Sequence, residues 1–380
     1  MSLQNCQLSE KTLKEIVVLD MRILHFHTSL TSGGIEAMIT GLANEMVKTE
    51  DVSIGLIFKP RDSDVFLTQL DKNVHVFSLG KTGPGVSLSI VWKIYKTIKK
   101  GKYDAVNIHG FFYYYVLAVL FCHRTTKFFY TVHSDAKMEN TKWDSKLFPL
   151  KKFCFKHKWM NAITISPSSE DSFEKLYGCK GTLILNGVKR KQISKADVLA
   201  DYRFTPSTRI FIHAGRISYV KNQEMLCHIF DRLIKQGEDV VLLIAGGIQD
   251  EEIFSRLQKY FTERIVYLGE CKDVISLMAY SDSMCLPSIW EGLPVVLLEA
   301  LSVGCIPICS GVGGIVDVIK DGFNGFLSQT SDEKDYYSTL MRFIELPISD
   351  LDAIRQQCKS SFAPYDITET ARNYLCLYKS

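Results

Sequence analysis

Short apolar runs closed by Gly, Ser, His or Asn alternate along this chain with longer stretches of helical period. "RILHFHTS" predicts a strand, and "SGGIEAMITGLANEMVK" predicts an amphipathic helix opened by glycine. "VSIGLIF", "VHVFSL", "DAVNIH" and "KFFYTVH" predict further strands, with a helix near Leu88–Lys100; "NAITISPSS" and "TLILNGV" close the first half. Strands that alternate with helices imply parallel βαβ units, because a parallel pair needs a crossover between its strands.

A polar stretch without strong period follows, "KRKQISKADVLADYRFTPSTR", and reads as an interdomain linker. The pattern then restarts. "IFIHAGR" and "DVVLLIAGG" predict strands with a helix at Asn222–Gln236 between them. "RIVYLG", "SMCLPS" and "IPICSG" predict short strands, each paired with a helical stretch. The chain closes in "YDITETARNYLCLY", a helix whose Asp366 and Glu369 have capping-box spacing. The expected organisation is an extension at 1–20, a Rossmann-like domain at 21–190, a second at 205–362, and a C-terminal helix at 363–380.

Length and composition agree with two ordinary globular domains. At 380 residues the chain exceeds what one core usually organises. The balance of 45 basic against 42 acidic residues is too even to argue for a nucleic-acid partner. Eleven cysteines without a CxxC pair read as reduced thiols in a cytoplasmic protein rather than as a zinc site or disulfide framework. The longest apolar run, "FFYYYVLAVLFC", is far short of the ~20 residues a spanning helix needs, and reads as a buried helix.

In sheets of this kind ligands bind where strands end and helices begin. "TSGGIE" follows the first strand; its glycines read either as a tight turn or as a backbone approach to phosphate at a helix N-terminus. "HAGRISYVK" places Arg216 and Lys221 about a strand-to-helix corner, a planar fork and a mobile point charge suited to a diphosphate, although two loop cations alone read as solvated surface. "SIWEGLPVVLLEALSVG" puts Glu291 in a loop and Glu299 inside an almost wholly apolar helix, with Pro294 expected at its first position. A buried carboxylate there needs a cation or a ligand, and no polar side chain stands beside it in sequence. His133 ends "KFFYTVH", where a lone histidine is more often structural than catalytic. "DSD" at Asp62–Asp64 has the form of a metal-binding triplet but reads as a solvated loop away from the other motifs.

Taken in order, GGxE at Gly33–Glu36, His133, Asn186-Gly187-Val188, Gly215-Arg216 with Lys221, Pro287-Ser288 with Glu291 and Glu299, and the glycines from Gly313 to Gly325 resemble the family 4 retaining glycosyltransferases. The resemblance runs from about Met21 to the final helix and implies a GT-B fold, two Rossmann-like domains facing across a cleft, with the C-terminal helix crossing back to the first. It implies that Arg216 and Lys221 neutralise the diphosphate of a nucleotide-sugar donor, that Glu291 binds the sugar and Glu299 the ribose. Gly33, Gly34, Gly215, Gly246, Gly292, Leu293, Pro294, Val295 and Val296 would complete the donor site, and His133 would lie at the reacting centre. His133, Arg216, Lys221 and Glu291 are thus the expected catalytic group. Asp317 departs from the family, which often has Glu there.

The implied donor is a UDP-sugar, a substrate rather than a cofactor, and no obligate metal is expected. The implied acceptor is a saccharide or polyprenyl-linked saccharide in surface polysaccharide or glycolipid synthesis. Lys137–Met160 carries seven lysines against two acidic residues with interleaved aromatics, and reads either as a solvated face or as a contact with an anionic membrane. The expected location is cytoplasmic, at the inner face of the cell membrane if that contact forms. Competing readings are another GT-B activity, such as a sugar-nucleotide epimerase, and a non-catalytic nucleotide-sugar-binding subunit.

Overall fold

A computed structural model describes residues 21–31, 33–194 and 198–380; the expected extension at 1–20 lies outside the described residues. Two parallel sheets form, one per half of the chain. The first contains β1 (Arg22–His27), β2 (Asp51–Phe58), β3 (His75–Lys81), β4 (Ala105–Ile108), β5 (Lys127–Val132), β6 (Asn161–Thr164) and β7 (Thr182–Leu183), in the order β3-β2-β1-β4-β5-β6-β7. The second contains β8 (Arg209–Ala214), β9 (Val240–Ala245), β10 (Ile265–Gly269), β11 (Ser283–Leu286), β12 (Ile306–Ser310) and β13 (Phe326–Ser328), in the order β10-β9-β8-β11-β12-β13. Both orders reverse beside the first strand of their sheet, so each sheet opens a crevice at the carboxyl ends of β1/β4 and β8/β11.

The central strands are apolar throughout because helices cover both faces; β9 is buried at all six positions. In β1, Leu24 and Phe26 face one core while Ile23 faces the other. His25, between Leu24 and Phe26, therefore lies on the face covered by the C-terminal helix Ile367–Lys379, whose Tyr374 and Tyr378 are in that same core.

That helix crosses back to the first domain as expected. Val188 N–H donates to Tyr365 O at 2.9 Å and Ile367 N–H to Val188 O at 3.1 Å. The stretch "TLILNGV" is thus strand only at Thr182–Leu183; its end pairs with the crossing chain instead. A Cβ on Gly187 would lie 2.9 Å from Ile367 Cα, so only glycine lets the two segments meet. Asp366 caps the helix through Thr368 N–H at 3.0 Å, whereas Glu369 pairs with Arg372 at 2.7 Å and does not close a capping box.

The polar linker is more structured than its composition implies. Ser194 N–H donates to Ser276 Oγ at 2.8 Å, Leu199 is buried in the second domain's core, and Arg203 donates to Tyr280 O at 3.0 Å. The basic stretch 137–160 is also only partly a surface. Helices Lys142–Lys146 and Phe148–Lys156 bury Lys151 and Phe155, with Lys151 Nζ 4.1 Å from the centroid of the Tyr130 ring, while Trp143 and Phe153 stay exposed.

Candidate active site in the interdomain cleft

The carboxyl ends of β8 and β11 supply the second domain's wall. After β8 the chain turns through Gly215 and Arg216, with Lys221 ending a short 3₁₀ turn, Tyr219–Lys221. Gln223 holds this turn: its Nε2 donates to Arg216 O at 2.8 Å and lies 3.1 Å from Nε2 of His213. His213 Nδ1 lies 2.9 Å from Cys285 O, so the buried ring donates once and accepts once as a neutral tautomer. Burial lowers its pKa to about 4. Gly246 sits at φ 149°, and a Cβ there would fall 2.1 Å from Gly215 O, which explains the glycine at the end of β9.

After β11, Ser288 Oγ donates to Glu291 Oε1 at 2.7 Å, and Lys221 Nζ bonds the same oxygen. Arg216, Lys221 and Glu291 therefore stand on adjoining corners, as the sequence predicts. The helix that follows is Val295–Val303, one residue later than expected: Pro294, with ψ 122°, is its N-cap rather than its first residue. Leu293 and Val295 are buried, and the N–H groups of Val295 and Val296, in the first turn, have no carbonyl of their own helix to bond.

Glu299 lies in the second turn, and its Oε1 meets Lys191 Nζ at 3.2 Å. This cation comes from the linker, 108 residues away, and the local sequence gave no sign of it. Its side chain is 51% exposed, so Glu299 pairs with a half-solvated lysine rather than a buried one.

The first domain closes on this wall at three points. A Cβ on Gly34 would lie 3.3 Å from Val295 Cγ2, which puts the glycine loop against the start of helix Val295–Val303. A Cβ on Gly292 would lie 2.1 Å from His133 O, so the turn after β5 meets the Glu291 corner with no room for a side chain. Asp317 Oδ2 accepts from Ser168 N–H at 3.0 Å and from Ser168 Oγ at 2.7 Å. The aspartate that departs from the family thus joins the two domains at the first turn of helix Pro167–Tyr177.

Glu36, in the first turn of helix Gly34–Met46, faces His27 Nε2 at 3.7 Å and Thr31 Oγ1 at 3.4 Å. Burial acts to raise its carboxyl, but His27, its own backbone N–H and Arg216 across the cleft outweigh that and hold it below its ordinary value. Asp64 is not a solvated residue of a metal triplet. It is buried, accepts from Leu30 N–H at 3.1 Å and Arg61 N–H at 2.7 Å, and so braces the loop that leads to Gly33 and Gly34. Among the described residues no group of three or more His, Cys, Asp or Glu side chains could hold a metal ion.

His133 lies at the cleft end of a larger arrangement. Glu139 Oε1 accepts from the N–H groups of His133 and Ser134 and clasps this turn; burial raises the Glu139 pKa to about 7 against the pull of Lys151 and these N–H groups. His109 stands beside His133, and His27 and His25 stand beside His109; sequence reasoning singled out none of these three. A signal was there: "HFH", "NIH" and "TVH" end three strands that the topology places side by side.

Comparison with known proteins agrees with this architecture. Residues 32–192 match the model of Glycosyltransferase Family 4, and residues 195–360 that of Glycosyl transferases group 1. An Escherichia coli UDP-Gal:alpha-D-GlcNAc-diphosphoundecaprenol alpha-1,3-galactosyltransferase is 27% identical, over 83% of this chain and 86% of its own. An N-acetyl-alpha-D-glucosaminyl L-malate synthase of Bacillus anthracis is 31% identical over 35% of each chain. The crystal structure of Anabaena Alr3699/HepE in complex with UDP and glucose superposes with a TM-score of 0.77, covering 94% of this chain and 99% of that one at 20% identity. With a family match in each half, on two facing Rossmann-like domains, this chain belongs to the family 4, group 1 glycosyltransferases of GT-B fold.

Proposed function

We propose that this enzyme transfers a sugar, with retention of anomeric configuration, from a UDP-sugar to a lipid-linked saccharide during surface polysaccharide or glycolipid assembly. The observation that carries the reading is the Ser288–Glu291–Lys221 set beside Arg216, opposite Gly34 and His133. The diphosphate lies against Arg216, Lys221 and the first N–H groups of helix Val295–Val303, where preorganised positive charge stabilises the departing nucleotide. Glu291 binds sugar hydroxyls and Glu299 the ribose. The bond from anomeric carbon to phosphate oxygen breaks with its electron pair going to phosphate. The acceptor oxygen attacks from the same face, and its proton passes to that phosphate oxygen. The names of the E. coli relative and the Anabaena complex support UDP as the carrier, and the former supports a diphosphoundecaprenol-linked acceptor.

A thermal-shift screen of UDP-, GDP- and ADP-sugars tests the donor, since a ligand raises stability by RT ln(1 + [L]/Kd). The UDP series should shift the protein, and the best UDP-sugar should be hydrolysed slowly without acceptor. Tight binding with no turnover of any nucleotide sugar would favour the non-catalytic reading.

Exposed apolar and aromatic side chains on the first domain support a peripheral contact with an anionic membrane. Leu88, Trp92 and Phe121 are 81%, 49% and 70% exposed, and Lys96 lies over Trp92 as Lys146 lies over Trp143. No described helix is long and apolar enough to cross a membrane. Flotation with phosphatidylglycerol vesicles checks the contact, which should weaken with salt; salt-independent binding or none removes it.

A further inference from the structure

The ladder between β5 and β6 ends at Val132, which pairs with Thr164. Beyond it the N–H groups of His133 and Ser134 have no strand to bond, and a part-buried N–H needs an acceptor. Glu139 supplies one for both. Its Oε1 accepts from His133 N–H and, at 2.9 Å, from Ser134 N–H. The loop that carries this acid is braced in turn: Ala136 N–H donates to Ser172 Oγ at 3.0 Å, and Asn140 Nδ2 to Ala136 O at 2.9 Å. Lys151, buried with its ammonium over the Tyr130 ring, attracts the charges of both Glu139 and Asp144.

The two residues that Glu139 holds are the two that abut the Glu291 loop. Gly292 has no room for a Cβ against His133 O, and such an atom would also fall 3.1 Å from Ser134 Cα. On the second domain, Gly314 N–H donates to Gly292 O at 2.7 Å. The backbone beside Glu291 is thus in contact with two turns, one from each domain. The turn from its own domain is tied by a hydrogen bond; the turn from the first domain only packs, so its place depends on what fixes it.

We infer that Glu139 is a positioning residue for sugar transfer. By holding the N–H groups of His133 and Ser134 it fixes the turn that packs on Gly292, and through Gly292 the place of Glu291. The coupling from Glu139 to Gly292 stands on these contacts; its bearing on the reaction rests on the proposed function. Glu139 is one of the two acidic residues in the basic stretch 137–160, whose charge balance conceals it in the sequence.

The test compares Glu139→Ala with Glu139→Gln, whose amide oxygen still accepts from both N–H groups. Amide hydrogen exchange of the full unliganded chain reads the coupling, in peptides that contain His133–Ser134 and Gly292–Gly314. In Glu139→Ala both should exchange about tenfold faster, whereas Glu139→Gln should stay within about twofold of wild type. Turnover reads the consequence, at pH 8 because the Glu139 pKa is about 7. With the UDP-sugar that stabilises the chain most, the hydrolysis kcat of Glu139→Ala should fall about tenfold while donor KM stays within about threefold. Glu139→Gln should recover most of that kcat. If Glu139→Ala does not fold, Glu139→Asp, which keeps the charge but not the reach, is read in the same way.

Unaltered exchange at His133–Ser134 in a folded variant overturns the clasp. Faster exchange there with none at Gly292–Gly314 makes the clasp local and overturns the positioning. Faster exchange at both with an unchanged kcat refutes the role in transfer. A wild type that turns over no nucleotide sugar defeats the proposed function instead, and the exchange at Gly292–Gly314 still decides the coupling.

Discussion

Replacing Glu299 by alanine separates the two roles open to this carboxylate. In the free protein its side chain is 18% exposed and meets Lys191 at 3.2 Å, a lysine that is 51% exposed. An ion pair with a cation so well solvated contributes about 0–1 kcal/mol, and alanine is the better helix former. Removing the carboxylate should therefore lower the unfolding free energy by less than about 1 kcal/mol. On the proposed function, the same carboxylate accepts ribose hydroxyls of the nucleotide. Hydrogen bonds to a charged group contribute about 1.5–3 kcal/mol, which is roughly a 10- to 150-fold weaker Kd for UDP. Isothermal titration of UDP into Glu299→Ala, Lys191→Ala and the double variant measures this directly. Lys191→Ala should change Kd by less than about threefold, since its bond to Glu299 is the weak one. An unchanged Kd in Glu299→Ala would refute the ribose assignment. A stability loss near 3 kcal/mol, the range for a broken buried pair, would show that the carboxylate is structural.

Two further outcomes follow from contacts that the sequence did not reveal. His213 is held neutral, with a folded pKa of about 4 against 6.5 unfolded. The unfolded chain takes up the proton first as pH falls, so stability declines below about 6.5 and levels near 4, and His213 alone should account for about 2 kcal/mol between pH 7 and pH 5. Urea unfolding of His213→Asn should show a pH dependence shallower by that amount; parallel curves would contradict the assignment. Asp317→Ala removes the carboxylate that accepts from Ser168 across the domains, a loss of about 1 kcal/mol by analogy with helix caps. It should lower kcat several-fold while UDP, which on the proposed function is held on the second domain, binds within about twofold; an unaltered kcat would show that this contact does not govern closure.

The parts of this site visible in the sequence are those set by local rules. Buried parallel strands read as continuous apolar runs, and a ligand-binding sheet offers residues just past their ends, so Arg216, Lys221, Glu291 and His133 stood out one corner at a time. The invisible parts are pairings at long separation: Lys191 with Glu299 at 108 residues, Ser168 with Asp317 at 149, His25 with His109 at 84. No periodicity encodes these, because they depend on which strands become neighbours. Lys151 is hidden from the sequence for a different reason. Its charge suggests a solvated face, but it lies four residues before Phe155 on the helix side that packs inward, and its ammonium rests on Tyr130. Pro294 stands one position before the helix, because its extended ψ places it outside the first turn.

Read together, the charges across the cleft describe a site balanced without its donor. Lys221 rests on Glu291, and Arg216 acts on Glu36, which also faces His27. Each cation thus has an acid near it. On the proposed function, an arriving diphosphate brings negative charge to Lys221 and Arg216 and takes over as their partner. Glu291, which still accepts from Ser288 Oγ, is then free to bind sugar hydroxyls. The exchange ties sugar recognition to diphosphate binding: a free sugar finds Glu291 occupied by Lys221, whereas a sugar that arrives on its nucleotide releases it.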